Sequence, residues 1–201
     1  KDIIKEPLDI HNIGALNDRE EAVIEILRTV GLTPPENYLA RYPHEISGGQ
    51  RQRVSIARTL IMKPKFVICD EPTSMLDVSI RISIMDLMLN LAKDLNVSYL
   101  YITHDLAVAR YMCNRIAVMF NGKIVEIADT EELLNNPIHP YTKRLISSIP
   151  IPDPSYKRER YIINYDELDK IIAKNPDDKM IDIGNEHLVA THDTKEYFIE
   201  S

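Results

Sequence analysis

Asp70 and Glu71 close an apolar run, Phe66–Cys69, and are followed at once by Pro72. Carboxylates delivered to a strand end can hold a hard divalent cation and take a proton from water. His104 follows a second β-rich run, Val97–Ile102, and is the histidine placed to join them. Upstream, Ser47-Gly48-Gly49-Gln50 offers a hydroxyl, bare backbone N–H groups and a helix start, the ingredients of an anion site. Each piece alone has a plainer reading. An isolated Ser-Gly-Gly is usually a capped helix, an isolated Asp-Glu a solvated strand end, and a lone His structural. Here the pieces come in series: Arg51–Arg58 reads Arg-Gln-Arg-Val-Ser-Ile-Ala-Arg, then come the carboxylates, then Ser74-Met75-Leu76-Asp77. Asp77 can cap the helix that follows it.

The surrounding pattern says which elements carry these groups. Ser47 can cap a helix from about Gly49 to Ile61, with Val54, Ala57 and Ile61 inward. Phe66–Cys69, wholly apolar, predicts a strand buried on both faces of a parallel sheet. Val78–Asn96 is the longest helix, its stripe Ile80, Ile84, Leu87, Leu91 and Leu95. With Val97–Ile102 after it, this makes a right-handed βαβ unit. Earlier, Asp18–Val30 reads as an amphipathic helix ended by Gly31, and Glu36–Arg41 as a short one. Pro7 is expected to break any helix begun in Lys1–His11. Later, Leu106–Cys113 is helical, and Asn121-Gly122 joins Arg115–Phe120 to Lys123–Ala128 as a hairpin. Thr130 is expected to cap a helix through Leu134, and another covers Tyr141–Ser148. Pro150, Pro152 and Pro154 mark a boundary, beyond which Met180–Ile183 and Leu188–Thr191 could pair around Gly184-Asn185.

Composition narrows the function classes. The 201 residues are 44% hydrophobic and 27% charged, ordinary for a globular chain. A net charge of -7 argues against a nucleic-acid partner, which leaves a basic footprint. No run is long and apolar enough for a transmembrane helix, and the start lacks the apolar core of a signal peptide. Cys69 and Cys113 are too few for a disulfide framework, which fits a reducing, cytoplasmic setting. Cys69 reads as a buried, inert small hydrophobe.

Taken together, the series from Ile46 to His104 resembles the nucleotide-binding subunits of ABC transporters. Ile46-Ser47-Gly48-Gly49-Gln50 resembles the signature motif, with Ile46 for the usual Leu. Phe66–Glu71 resembles the Walker B segment, Ser74–Asp77 the D-loop with Met75 for Ala, and His104 the switch histidine. The resemblance implies an α/β fold: part of a P-loop NTPase (RecA-like) parallel sheet with flanking helices, a helical subdomain and a C-terminal extension. It implies ATP and Mg²⁺ as cofactors, with Asp70 on the metal, Glu71 orienting or deprotonating water, and His104 reading the γ-phosphate. Ser47, Gly48, Gly49 and Gln50 would close over nucleotide held by a second ATPase subunit, and Asp77 would connect the two sites.

Tyr42-Pro43-His44-Glu45, Asp77-Val78-Ser79-Ile80, and His139-Pro140-Tyr141-Thr142-Lys143 resemble the oligopeptide and dipeptide importer branch, which nickel importers share. The implied division is residues 1–45 for the rest of the helical subdomain, 46–129 for half of the ATPase core, 130–155 for the importer-type extension and 156–201 for a tail. Permease subunits are the implied membrane partners, contacted through the helical subdomain, so the subunit would sit at the inner face of the membrane. The 201 residues contain no Gly-x-x-x-x-Gly-Lys-Ser/Thr loop. The chain is thus expected to be the back half of an ATPase, inactive alone. A DNA-repair type of ABC ATPase and a non-catalytic interaction module are the competing classes. The first is disfavoured by the absence of sustained heptads and paired cysteines.

Overall fold

The computed structural model describes residues 1–148 and 179–190. The Pro150–Pro154 boundary and the rest of the 156–201 tail lie outside the described residues. The chain divides into two compact units, Lys1–His104 and Asp105–Ser201, each described by itself.

The first unit has a helical layer and a small sheet. Its helices are α1 (Asp2–Ile10), α2 (Leu16–Thr29), α3 (Glu36–Leu39), α4 (Gly48–Leu60) and α5 (Val78–Asp94), with a 3₁₀ turn at Pro43–Glu45. Val23, Leu27 and Val30 enter one core with Ala57, Leu60, Ile61 and Leu91, as the helical spacing predicts. Gly31 takes φ 73 just past α2, the left-handed turn that glycine makes without steric cost. The expectation that Pro7 forbids a helix is overturned, because α1 runs through it. Pro7 loses only its own bond to the Ile3 carbonyl. Burial of Ile4 and Leu8, one turn apart, compensates, and the Arg58–Glu6 ion pair at 2.6 Å joins α1 to α4.

Strands β1 (Phe66–Asp70) and β2 (Ser98–Ile102) pair in parallel, Phe66 opposite Ser98 and Asp70 opposite Ile102. With α5 between them they form the expected βαβ unit. The burial expected of β1 is corrected: Phe66 is 56% and Ile68 62% exposed, and Leu100 and Ile102 on the same face of β2 are exposed as well. Only the Val67, Cys69 and Tyr99 side is turned inward. Among the described residues this sheet has two strands, so only one face is covered. The stripe of α5 is also shifted. Ile84, Met85, Met88 and Leu91 are buried, whereas Leu95 lies past the helix and is exposed.

The second unit begins with α6 (Leu106–Met112) and continues into the hairpin of β3 (Arg115–Phe120) and β4 (Lys123–Asp129). Asn121 at φ 45 and Gly122 at φ 78 both take the positive values that such a turn demands. Next come α7 (Thr130–Asn135) and α8 (Pro140–Ser147), then β5 (Met180–Asp182) and β6 (Leu188–Ala190). The last two strands pair as expected and extend the sheet in the order β3-β4-β6-β5. Thr130 does not cap α7: Asp129 holds the cap position and the Thr130 hydroxyl donates to the Cys113 carbonyl at 2.6 Å. The core here is Ile116, Val118, Val125, Ala128, Leu133 and Ile146. No helix among the described residues is long and apolar enough to cross a membrane.

Candidate functional site

The parallel register brings three of the expected groups together. Asp70 ends β1 opposite Ile102 of β2, and the Glu71 N–H donates to the Ile102 carbonyl at 3.0 Å. His104, two residues on, meets Glu71 with Nδ1 2.7 Å from Oε1. Both side chains are open to solvent, as a site for an incoming ligand requires. Glu71 sits at φ 43, a backbone region that non-glycine residues seldom occupy. Strain of this kind gathers at working sites. The turn is fixed from behind, because the Ser74 N–H and hydroxyl both donate to the Glu71 carbonyl, at 3.2 and 3.0 Å.

One anchor of this loop escapes a reading of the sequence. Buried Thr73 shares a hydrogen bond of 3.1 Å with the Tyr101 hydroxyl of β2, tying residues 71–76 to the inner face of the sheet. Alternation along β2 places Tyr101 inward, but nothing local names its partner. Asp70 and Glu71 line a cleft of about 380 Å³ with Gln52, Ser55 and Thr59 of α4 and Ser74, Met75 and Leu76 of the loop. Cys69 opens onto the same cleft, yet burial pushes its thiol up to about 11, so it is no thiolate at neutral pH.

Asp70 suits Mg²⁺ as a single exposed hard ligand. Among the described residues, no group of three His, Cys, Asp or Glu side chains could cage a metal. Mg²⁺ keeps much of its water and takes one or two carboxylates plus phosphate oxygens, which matches this arrangement.

Ser47 is not among the residues that line that cleft and sits at the N-terminus of α4. It makes a capping box: the Gln50 N–H donates to Oγ at 3.3 Å and the Ser47 N–H donates to Gln50 Oε1 at 3.0 Å. The structural role of this serine is therefore real, whatever else it contacts. Gly49 is buried, and a Cβ there would lie 2.8 Å from Ile80 Cγ2, so the helix start approaches α5 as only glycine allows. A Cβ on Gly48 would be 3.6 Å from Leu76, an ordinary contact. Asp77 occupies the N-cap of α5 but makes no side-chain cap bond, so the expected capping role is not filled. Met75, two residues before it, is 96% exposed.

Comparison with known proteins fits this geometry. A family profile described as ABC transporter matches residues 4–74, and one described as the oligopeptide/dipeptide transporter C-terminal region matches 125–173. Three ABC structures share the fold. CbiO1 of Clostridium perfringens, part of the cbiONQ complex, gives a TM-score of 0.58 at 28% identity over 66% of this chain and 51% of that one. The ADP form of the ATP-binding cassette MJ1267 gives 0.53 at 27% over 62% and 48%. A putative metal-chelate type ABC transporter gives 0.59 at 25% over 66% and 53%. The fold is that of ABC ATPase domains, and the chain belongs to the ABC transporter ATP-binding family.

Its place within that family is narrower. The oligopeptide transport ATP-binding protein OppF of Bacillus subtilis is 51% identical over 166 residues, 82% of this chain and 54% of that protein. AmiF of Streptococcus pneumoniae is 54% identical over 149 residues, 74% and 48% of the two chains. The dipeptide transport ATP-binding protein DppF of Lactococcus lactis is 51% identical over 173 residues, 84% and 55%. The chain groups with the oligopeptide/dipeptide branch and spans about half the length of these curated relatives.

Proposed function

We propose that this chain is part of the ATP-hydrolysing subunit of an importer for oligopeptides or dipeptides. The observation that carries the reading is the Glu71–His104 pair beside Asp70 at the carboxyl end of a parallel sheet, where open α/β sheets bind ligands. Asp70 would hold Mg²⁺, which when bound would neutralise charge on the phosphates of the nucleotide. Glu71 orients the attacking water and accepts its proton. An ionised Glu71 can only accept, so the proton it shares with His104 sits on Nδ1, and a neutral ring then offers Nε2 as an acceptor. Donation from Nε2 to a phosphate oxygen needs a second ring proton or release from Glu71. His104 therefore senses phosphate by changing its partnership with the base.

Ser47, Gly48, Gly49 and Gln50 present a helix N-terminus to phosphate held by a second ATPase subunit. None of the four lines the cleft of Asp70 and Glu71, which supports that division. Exposed Asp77 and Met75 lie where a partner subunit can reach them. Coupling to permease subunits through the helices of residues 1–45 places the protein at the inner face of the membrane. The cargo is tested by uptake: permease vesicles carrying the complete subunit with this sequence are expected to accumulate a labelled oligopeptide only with ATP. Hydrolysis without peptide uptake would overturn the cargo assignment.

The 201-residue chain by itself is expected not to bind ATP tightly. Beside the absence of a Gly-Lys-Ser/Thr loop from the 201 residues, the exposed apolar face of Phe66, Ile68, Leu100 and Ile102 supports this, because among the described residues no layer covers it as one normally covers a parallel sheet. Calorimetric titration of ATP with Mg²⁺ checks it, and a micromolar, Mg²⁺-dependent site on the isolated chain would refute it.

A further inference from the structure

Arg53 lies in the middle of α4, downstream of the Ser47–Gln50 turn, and its guanidinium joins three helices. Nη1 donates to the Val30 carbonyl at 2.6 Å, and Nη2 donates to Ser83 Oγ of α5 at 3.0 Å. Val30 is the C-cap of α2, so its carbonyl belongs to the negative end of that helix and has no helical partner. The guanidinium packs closely over Gly31, where a Cβ would lie 2.8 Å from Nη1. The same α4 meets α5 again at its start, where Gly49 faces Ile80. Two contacts, one at the first turn and one at the fork, thus fix the direction in which the α4 N-terminus points. A planar fork with donors at fixed spacing can satisfy two acceptors on different elements, and a lysine ammonium on a flexible stem cannot hold that geometry.

We propose that Arg53 is a positioning residue for the phosphate-facing turn Ser47–Gln50: it locks α4 to the end of α2 and to α5, so that the turn is presented in one orientation. The assignment rests on the reading of that turn as the site closing over a partner subunit's nucleotide. Misplacement by about 1 Å can cost up to roughly a hundredfold in rate. Arg53→Lys in the complete subunit is therefore expected to lower kcat for ATP about tenfold while the ATP dissociation constant stays within about twofold.

The test pairs turnover with amide hydrogen exchange at Gln50 and Arg51, whose N–H groups bond to Ser47 Oγ and to the Ser47 carbonyl. Faster exchange at both amides in Arg53→Lys, with core amides of α2 unchanged, is the expected structural result and needs no ATPase activity. Unchanged exchange overturns the positioning role. So does a kcat that falls only in proportion to the folded fraction. Faster exchange in Arg53→Lys, together with a complete wild-type subunit that does not hydrolyse ATP, would leave the positioning role intact and remove the phosphate reading instead.

Discussion

Glu71→Gln in the assembled subunit is expected to lower ATP turnover by about 10²–10⁴-fold, the usual contribution of a positioned general base. The substitution keeps the size of the side chain and removes its basicity. Its folding cost is expected to be small, because Glu71 is exposed and its principal side-chain contact is with a still more exposed His104. Nucleotide affinity should hold within a few-fold, since the contacts assigned to nucleotide run through Asp70 and the partner's Ser47 turn. The loss should thus appear in kcat, which separates a role in the chemical step from one in binding. Single-turnover hydrolysis with saturating Mg²⁺ and ATP checks it directly. Turnover within about tenfold of the wild type would remove Glu71 from the mechanism. The left-handed backbone at Glu71 makes the comparison informative, because Gln inherits the same turn and the same Ser74 hydrogen bonds to its carbonyl.

The elements that hold this site were legible where the determining contacts are local. Val23, Leu27 and Val30 repeat at helical spacing, Gly31 marks the stop, and Asn121-Gly122 dictates its own turn. Other features depend on partners distant in sequence. The run Phe66–Cys69 is apolar enough for a buried strand, but the pattern does not say whether a covering layer lies within the same 201 residues. Pro7 argued locally against a helix and was outweighed by Ile4 and Leu8 packing into a core assembled from α2 and α4. Arg53 looked like one more charge in an arginine-rich helix, and its two acceptors lie 23 and 30 residues away. The meeting of Asp70, Glu71 and His104 was readable from residue order, whereas the supports of the site were not: the Thr73–Tyr101 bond requires knowing the strand register first.

Glu126 shows the same limit most sharply, and its removal is expected to be the costliest substitution in the second unit. No residue-level reading of the sequence singled it out, and it is fully buried. Its Oε1 accepts from the Ile138 N–H at 2.8 Å and lies 2.7 Å from His187 Nε2, and Oε2 accepts from the His139 N–H at 3.1 Å. Three segments meet on one carboxylate: β4, the turn leading into α8, and the β5–β6 hairpin. His187 is itself buried, with Nδ1 3.7 Å from Glu132 Oε1. Glu126→Ala leaves two N–H groups and an imidazole without their acceptor in a dry site. Breaking a buried hydrogen-bonded pair from one side costs about 3–5 kcal/mol, far more than the pair's net worth. Glu126→Gln is expected to cost less, because one oxygen remains, but its amide N–H₂ must face a donor. Opening free energies from amide hydrogen exchange at Val125 and Ile127 measure the loss in this unit without interference from the other. Exchange at Val189, opposite Glu126 in the ladder, should rise with them, because the hairpin is held to β4 by this carboxylate as well as by strand pairing. A loss below about 1 kcal/mol in Glu126→Ala would mean that water replaces the carboxylate at little cost and that the junction does not organise the extension.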